Sequence, residues 1–203
     1  MMNLNGKWRL TGIPPDGGEA LALTGVVPGH VHLDLLREKR IPDPFWRDQA
    51  DACQWVEKWD WVYEREFVLD SDWDRSWAML EFGGLDTFAT ITLNGHDIGR
   101  TANMFIPHHF EVGSLLKPGR NHLRVHFDSI GRHTAGKPPE HECAFGTPER
   151  IYVRRMQCTF HWDWVNRFVS CGIWRPVRLV SYDRARISDA HVQPLRIERP
   201  GKV

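Results

Sequence analysis

The densest chemistry in this 203-residue chain lies in TFHWDWVNRFVSCGIWRPVRL, residues 159–179, which sets Trp162, Asp163 and Trp164 in succession and adds Trp174. An indole offers an apolar face, and a carboxylate offers two acceptor oxygens. Together they suit a pyranose, whose C–H face stacks on an indole while adjacent hydroxyls donate to both carboxylate oxygens. The same residues also suit pure structure. Buried aromatic clusters are common, and an aspartate between two indoles caps a turn. On residue types alone both readings stand.

Other constellations say less. His141-x-Cys143 and Cys158-x2-His161 offer four ligands of the kinds zinc prefers, but their spacing matches no standard zinc signature. With eleven histidines in the chain, chance pairings are expected, so no metal site is assigned. His122 and His126 share one strand face but sit far apart along it, which reads as a solvated face. No G-x-S-x-G, P-loop or G-x-G-x-x-G occurs, and no cofactor is implied. Glycoside hydrolysis needs two carboxyl groups about 5 Å apart for retention. Asp60, Asp86 and Asp163 fall on different segments, so the sequence shows no catalytic pair of its own.

Composition narrows the partners. Twenty-six basic and twenty-six acidic residues cancel, leaving no field to recruit nucleic acid or an anionic membrane surface. No run of about 18 apolar residues could span a bilayer. The opening MMNLNGKWRLTG lacks the apolar core of a signal peptide, which makes the cytoplasm the expected location. Cys53, Cys143, Cys158 and Cys171 form no CxxC and read as reduced thiols. Ten tryptophans are more than a core alone asks for.

The elements that must position these residues read as short strands. GKWRLTG opens one and PPDGG ends it. Val31, Leu35 and Leu36 fall at helical spacing after Pro28-Gly29, and Pro42 closes a short helix. WVYEREFVL (61–69) and WAMLEFGG (77–84) have strand composition. In DTFATITLNGHDIG the alternation runs to Asn94-Gly95, a type I′ hairpin signal. NHLRVHFDSI sends Leu123, Val125 and Phe127 to one face and His122, Arg124, His126 and Asp128 to the other. Pro176 lacks a donor, so its strand is expected at a sheet edge or at a bulge. Residues 131–150 read as a long loop. The pattern predicts an all-β, antiparallel jelly-roll β-sandwich with one short helix over residues 1–183. Residues 184–203 read as the start of a following domain.

Five stretches, taken in order, resemble the N-terminal domain of glycoside hydrolase family 2 enzymes, β-mannosidases most closely. They are VPGHVHLDLLREKRIPDPF (27–45), QWVEKWDWVYEREF (54–67), FGGLDTFATITLNGHDIGRTANMF (82–105), GRNHLRVHF (119–127) and VRRMQCTFHWDWVNRFVSCGIWRPVRL (153–179). The resemblance implies a galactose-binding-like sandwich, followed by an immunoglobulin-like domain and a TIM barrel that carries both catalytic glutamates. Neither of those two domains lies within residues 1–183. It implies that the domain contributes a loop to the subsite for a β-linked saccharide in a retaining exo-β-glycosidase. Carried over position by position, Trp162 and Asp163 line that subsite and Arg154 supports them, while Trp164 and Trp174 pack and orient the loop. This chain departs from the family pattern at Val165-Asn166, where Gly-Pro is usual, and at Gln49-Ala50, where Asn-Glu is usual. Two alternatives stay open: a free-standing carbohydrate-binding module, and a structural or interaction sandwich.

Overall fold

Alternating burial along β9 (Gly119–Phe127) shows how the fold is built. Leu123, Val125 and Phe127 are fully buried, and Arg124 and His126 between them are not. The two-residue period of a strand therefore drives one face into a core. Each such fully buried side chain stabilises the fold by about 1.5–3 kcal/mol. The computed structural model describes residues 1–137, 147–162, 164–182, 185–187 and 189–196.

The described residues form two antiparallel sheets. The larger contains β2 (Gly6–Ile13), β3 (Leu21–Val27), β4 (Asp60–Leu69), β6 (Phe88–Leu93), β7 (His96–Ala102) and β9, in the order β3-β2-β4-β9-β6-β7. The smaller holds β1 (Met2–Asn3), β5 (Ala78–Phe82), β8 (His108–Glu111) and β10 (Val177–Ser181), in the order β1-β10-β5-β8. Leu10, Tyr63, Ile91 and Val125 from the larger sheet share one core with Leu80, Phe82, Val177 and Leu179 from the smaller. This is the all-β sandwich that the alternation predicts.

The hairpin is where the dipeptide puts it. Asn94 and Gly95 have φ of 52° and 85°, the left-handed pair a type I′ turn requires, and Leu93 faces His96 across it. The Asn94 side chain then stitches the turn to β9 by accepting from the His122 N–H at 2.9 Å.

Two expectations need correcting. β10 is not an edge strand, because β1 flanks it on one side and β5 on the other. Pro176 lies just before the first ladder residue, so its missing donor is never called on. Part of the expected loop is helical: a second short helix, α2 (Ile130–Thr134), opens it and a 3-10 turn, Pro148–Tyr152, closes it. The expected helix is α1 (Val31–Arg37), with Val31 and Leu35 buried and Leu36 more exposed. Asp34 ties it to the sandwich by accepting from the Val26 N–H at 3.0 Å and the Tyr63 hydroxyl at 3.3 Å. Residues 185–187 and 189–196 carry no strand, and Ile187, Val192 and Leu195 are exposed. Among the described residues, no helix is long and apolar enough to cross a membrane.

The polar face of β9 is an ion-pair network. Asp60 accepts from the Ser129 N–H at 2.9 Å and Arg132 Nη2 at 2.7 Å, and His126 Nε2 lies 3.2 Å away. Burial alone would push the Asp60 carboxyl up, but His126, Ser129 and Arg132 outweigh it and hold the pKa at about 2. In the unfolded chain an aspartate titrates near 3.9, so the ionised form favours the fold. That stabilisation is complete above about pH 4 and disappears as the pH falls towards about 2. Urea unfolding should show a gap between the wild type and Asp60→Asn that is widest near neutrality. The gap should narrow by about 2 kcal/mol between about pH 4 and pH 2.

Candidate functional site

Residues 159–168 leave the sandwich and return as a narrow loop. The Phe168 N–H donates to the Thr159 carbonyl at 2.9 Å and closes its base. Nearer the tip, Trp162 and Val165 exchange two backbone hydrogen bonds of 3.1 Å. His161 takes a φ of 98° on the outgoing limb. Val165, one of the departures from the family pattern, thus forms one side of this rung, its N–H donating and its carbonyl accepting.

The loop stands on its own small apolar cluster of Ile130, Val153, Phe160 and Val169. Phe160 is fully buried, and the guanidinium groups of Arg155 and Arg167 each lie 5.5 Å from its ring centre. Arg155 Nη2 is 3.0 Å from Asp86 Oδ2, with both side chains only 1% exposed. Desolvation pulls the Arg155 pKa down, and the Asp86 charge partly restores it. Asp86 also exchanges backbone hydrogen bonds with Gly172, at 3.0 and 3.1 Å. Gly172 has a φ of 156°, and a Cβ there would sit 2.5 Å from the Gly29 carbonyl oxygen, so the approach depends on glycine.

Beside this pair lies a pocket of about 340 Å³ whose walls include Leu33, Phe45, Phe168 and Trp174, with His30, His32 and Arg155 among its polar members. Burial, then His30 and Arg155, push His32 down to about 4, so it is neutral at physiological pH. Among the described residues, Nε and Nη1 of Arg155 and Nδ1 of both histidines have no hydrogen-bond partner.

The sequence-predicted residues fall as follows. Trp162 is half-buried, with the Arg150 guanidinium 5.6 Å from its ring centre. Trp164 meets it edge-on, 6.3 Å away at 84°. Trp164 is 79% exposed, so it does not pack the loop as expected; it projects from the tip. Trp174 does act as a strut, donating from Nε1 to the Met104 carbonyl at 3.2 Å. Asp163 lies outside the described residues. Arg154 pairs its backbone with the 103–104 segment, its carbonyl accepting from the Met104 N–H at 3.0 Å, and its side chain is exposed.

The buried basic group is the next residue, Arg155, which sequence reasoning missed. The signal was present in VRR: Val153 and Arg155 alternate inward and Arg154 outward, the period of extended chain. Of the zinc candidates, His141 and Cys143 lie outside the described residues, and Cys158 and His161 are exposed. Cys53, Cys158 and Cys171 are free thiols. Asp60, His126 and Asp128 do bring ligand atoms within 4.8 Å of one another. Arg132 already sits among them, 2.7 Å from Asp60 and 3.5 Å from Asp128, so the cluster has its cation.

Comparison with known proteins identifies the family. The family model described as "Glycosyl hydrolase 2 galactose-binding domain-like" matches residues 8–175. The chain belongs to this family. Beta-mannosidase B of Thermothelomyces thermophilus is 40% identical over 171 residues, covering 82% of this chain and 20% of that protein. Beta-mannosidase of Rattus norvegicus is 32% identical over 207 residues, covering 95% of this chain and 23% of that protein. The crystal structure of Beta-D-Mannosidase from Dictyoglomus thermophilum superposes with a TM-score of 0.85 at 36% identity, over 93% of this chain and 23% of that one. The glycosyl hydrolase 2 galactose-binding-like chain therefore spans about a fifth of the length of these relatives. It corresponds to the N-terminal domain of β-mannosidase-like enzymes.

The ion pair beneath the loop, with both side chains buried, should be sensitive to single substitution. Arg155→Met strands a buried carboxylate and should cost about 3–5 kcal/mol. Asp86→Asn with Arg155→Met should cost clearly less than the two single losses added together, as measured by urea unfolding.

Proposed function

We propose that this domain supplies one wall of the saccharide subsite of a retaining exo-β-glycosidase that cleaves terminal β-mannosides or a related β-linked sugar. Trp162 offers its ring face to the sugar, and Asp163 accepts hydrogen bonds from adjacent hydroxyls. Arg154 supports the pair from the preceding segment. The single observation that carries the reading is the projecting loop itself: a half-buried Trp162 held by a paired backbone rung on its own apolar base. A subsite wall needs an aromatic that is fixed yet reachable, and a core tryptophan is neither exposed nor raised on a loop.

The similarity to two β-mannosidases by sequence and one by structure supports the sugar class. The acid/base and nucleophile belong, in this reading, to a barrel that follows an immunoglobulin-like domain entered from residue 184. Those domains and the saccharide are the partners proposed, with no cofactor. No step of bond cleavage is assigned to residues of this domain.

The test is turnover of an aryl β-D-mannoside by the complete enzyme. Asp163→Ala should lower kcat/KM by about 10- to 100-fold, the worth of a hydrogen bond to a charged group, about 1.5–3 kcal/mol. Unchanged turnover in Asp163→Ala and in Trp162→Ala would leave a purely structural sandwich. Tight sugar binding by the isolated domain in calorimetry would instead favour a free-standing carbohydrate-binding module, because a half-subsite has few contacts to offset lost ligand freedom.

A further inference from the structure

Arg167 stands on the return limb of the 159–168 loop and makes more connections there than any single packing role needs. Nε and Nη2 form a fork on Glu57, with Nε–Oε2 at 2.9 Å and Nη2–Oε1 at 3.0 Å. Nη1 lies 2.8 Å from Glu149 Oε1 and donates to the Phe160 carbonyl at 3.3 Å. The Arg167 carbonyl accepts from Gln54 Nε2 at 2.9 Å, and the same amide nitrogen donates to the Ala50 carbonyl at 2.9 Å.

Every one of these connections ends beside Trp162 or at the sandwich. Phe160 is two residues upstream of Trp162 on the outgoing limb. Glu149 belongs to the Pro148–Tyr152 turn, which also carries Arg150 to the Trp162 ring. Gln54 and Glu57 lie in and beside the 3-10 turns Asp51–Cys53 and Val56–Lys58, which precede β4. Trp61, in β4, donates from Nε1 to the Val56 carbonyl at 3.0 Å and fixes the second turn to the core. Arg167 thus joins both limbs of the loop, the turn that covers Trp162, and the sandwich.

The chemistry is specific to arginine. The side chains of Arg167 and Glu57 are about three-quarters or more buried, so their pairing is screened less than a surface pair. A guanidinium presents a rigid fork to one carboxylate and still has N–H groups for a second carboxylate and a carbonyl. A lysine has one point of charge and cannot hold that geometry. Burial pushes the Arg167 pKa down, but Glu57 and Glu149 outweigh it, so the group stays charged.

We infer that Arg167 is a positioning residue that fixes where the Trp162 ring stands, acting through the Phe160 carbonyl and the Glu149–Arg150 turn; its bearing on turnover rests on the reading that Trp162 walls a saccharide subsite.

The test separates position from turnover. With the protein labelled with 5-fluorotryptophan, the ¹⁹F resonance of Trp162 is assigned by its loss in Trp162→Phe. Arg167→Met should shift or split that resonance while the resonance of Trp8, in the sandwich core, stays native. Glu149→Gln, which removes one connection, should shift it less and in the same direction, and Arg167→Lys should restore it only in part. In the complete enzyme, Arg167→Met should lower kcat/KM on an aryl β-mannoside by about 10- to 100-fold, the scale of a small misplacement of a contact group. A Trp162 resonance unmoved in Arg167→Met and Glu149→Gln, with Trp8 native, overturns the inference. If Arg167→Met fails to fold, Glu149→Gln decides alone. A wild-type enzyme without turnover overturns the saccharide reading, and the resonance arm still decides this one.

Discussion

The buried pairing of Arg155 with Asp86 is the interaction on which the rest of the candidate site depends. Asp86 lies in the connection between β5 and β6, and Arg155 lies at the foot of the loop that carries Trp162. Their 3.0 Å contact, with the backbone exchange between Asp86 and Gly172, binds three distant stretches of chain at one point. Two charges removed from water are costly unless they meet in good geometry. A misplaced loop would leave both exposed to that cost, so the pair selects one arrangement of the loop over others.

Six of the ten tryptophans fall into three groups. Trp8 and Trp61 are core residues whose indole nitrogens find carbonyl partners at Leu4 and Val56, as a buried indole requires. Trp55, Trp59 and Trp61 pack against one another with ring centres 4.7–6.1 Å apart, forming an aromatic brace next to the turns that hold Arg167. Trp162 and Trp164 do neither. They meet edge-to-face above a separate apolar cluster, where an indole can be ordered and still reachable. A core, a brace and a raised ledge thus account for these six.

Much of the fold could be read from residue patterns because its causes are local. The alternation in β9, the Asn94-Gly95 turn and the apolar spacing of α1 each act within a few residues. The 3-10 turns between Asp51 and Lys58 carry no comparable period, and they stayed invisible although they root the candidate site. The long-range charge pairs were equally hidden. Arg155 and Asp86 are 69 residues apart, and Arg167 and Glu57 are 110 apart, and nothing in either neighbourhood names the other. The family resemblance located the Trp162 segment, but which basic residue goes inward was decided by packing at Val153. Pro176 shows the same limit, because its position one residue ahead of β10 hides its lack of a donor.

The apolar cluster of Ile130, Val153, Phe160 and Val169 is separate from the sandwich core. Among the described strands only Phe88 of β6 is seen packing against it, so natural variation at the ledge can proceed with little repacking of the sandwich. On the proposed subsite reading, a lineage changing its preferred sugar would be free to exchange residues 161–166 as a cassette, with Phe160 and Arg167 retained as the joints. The scaffold and the specificity of such a domain can drift on separate clocks.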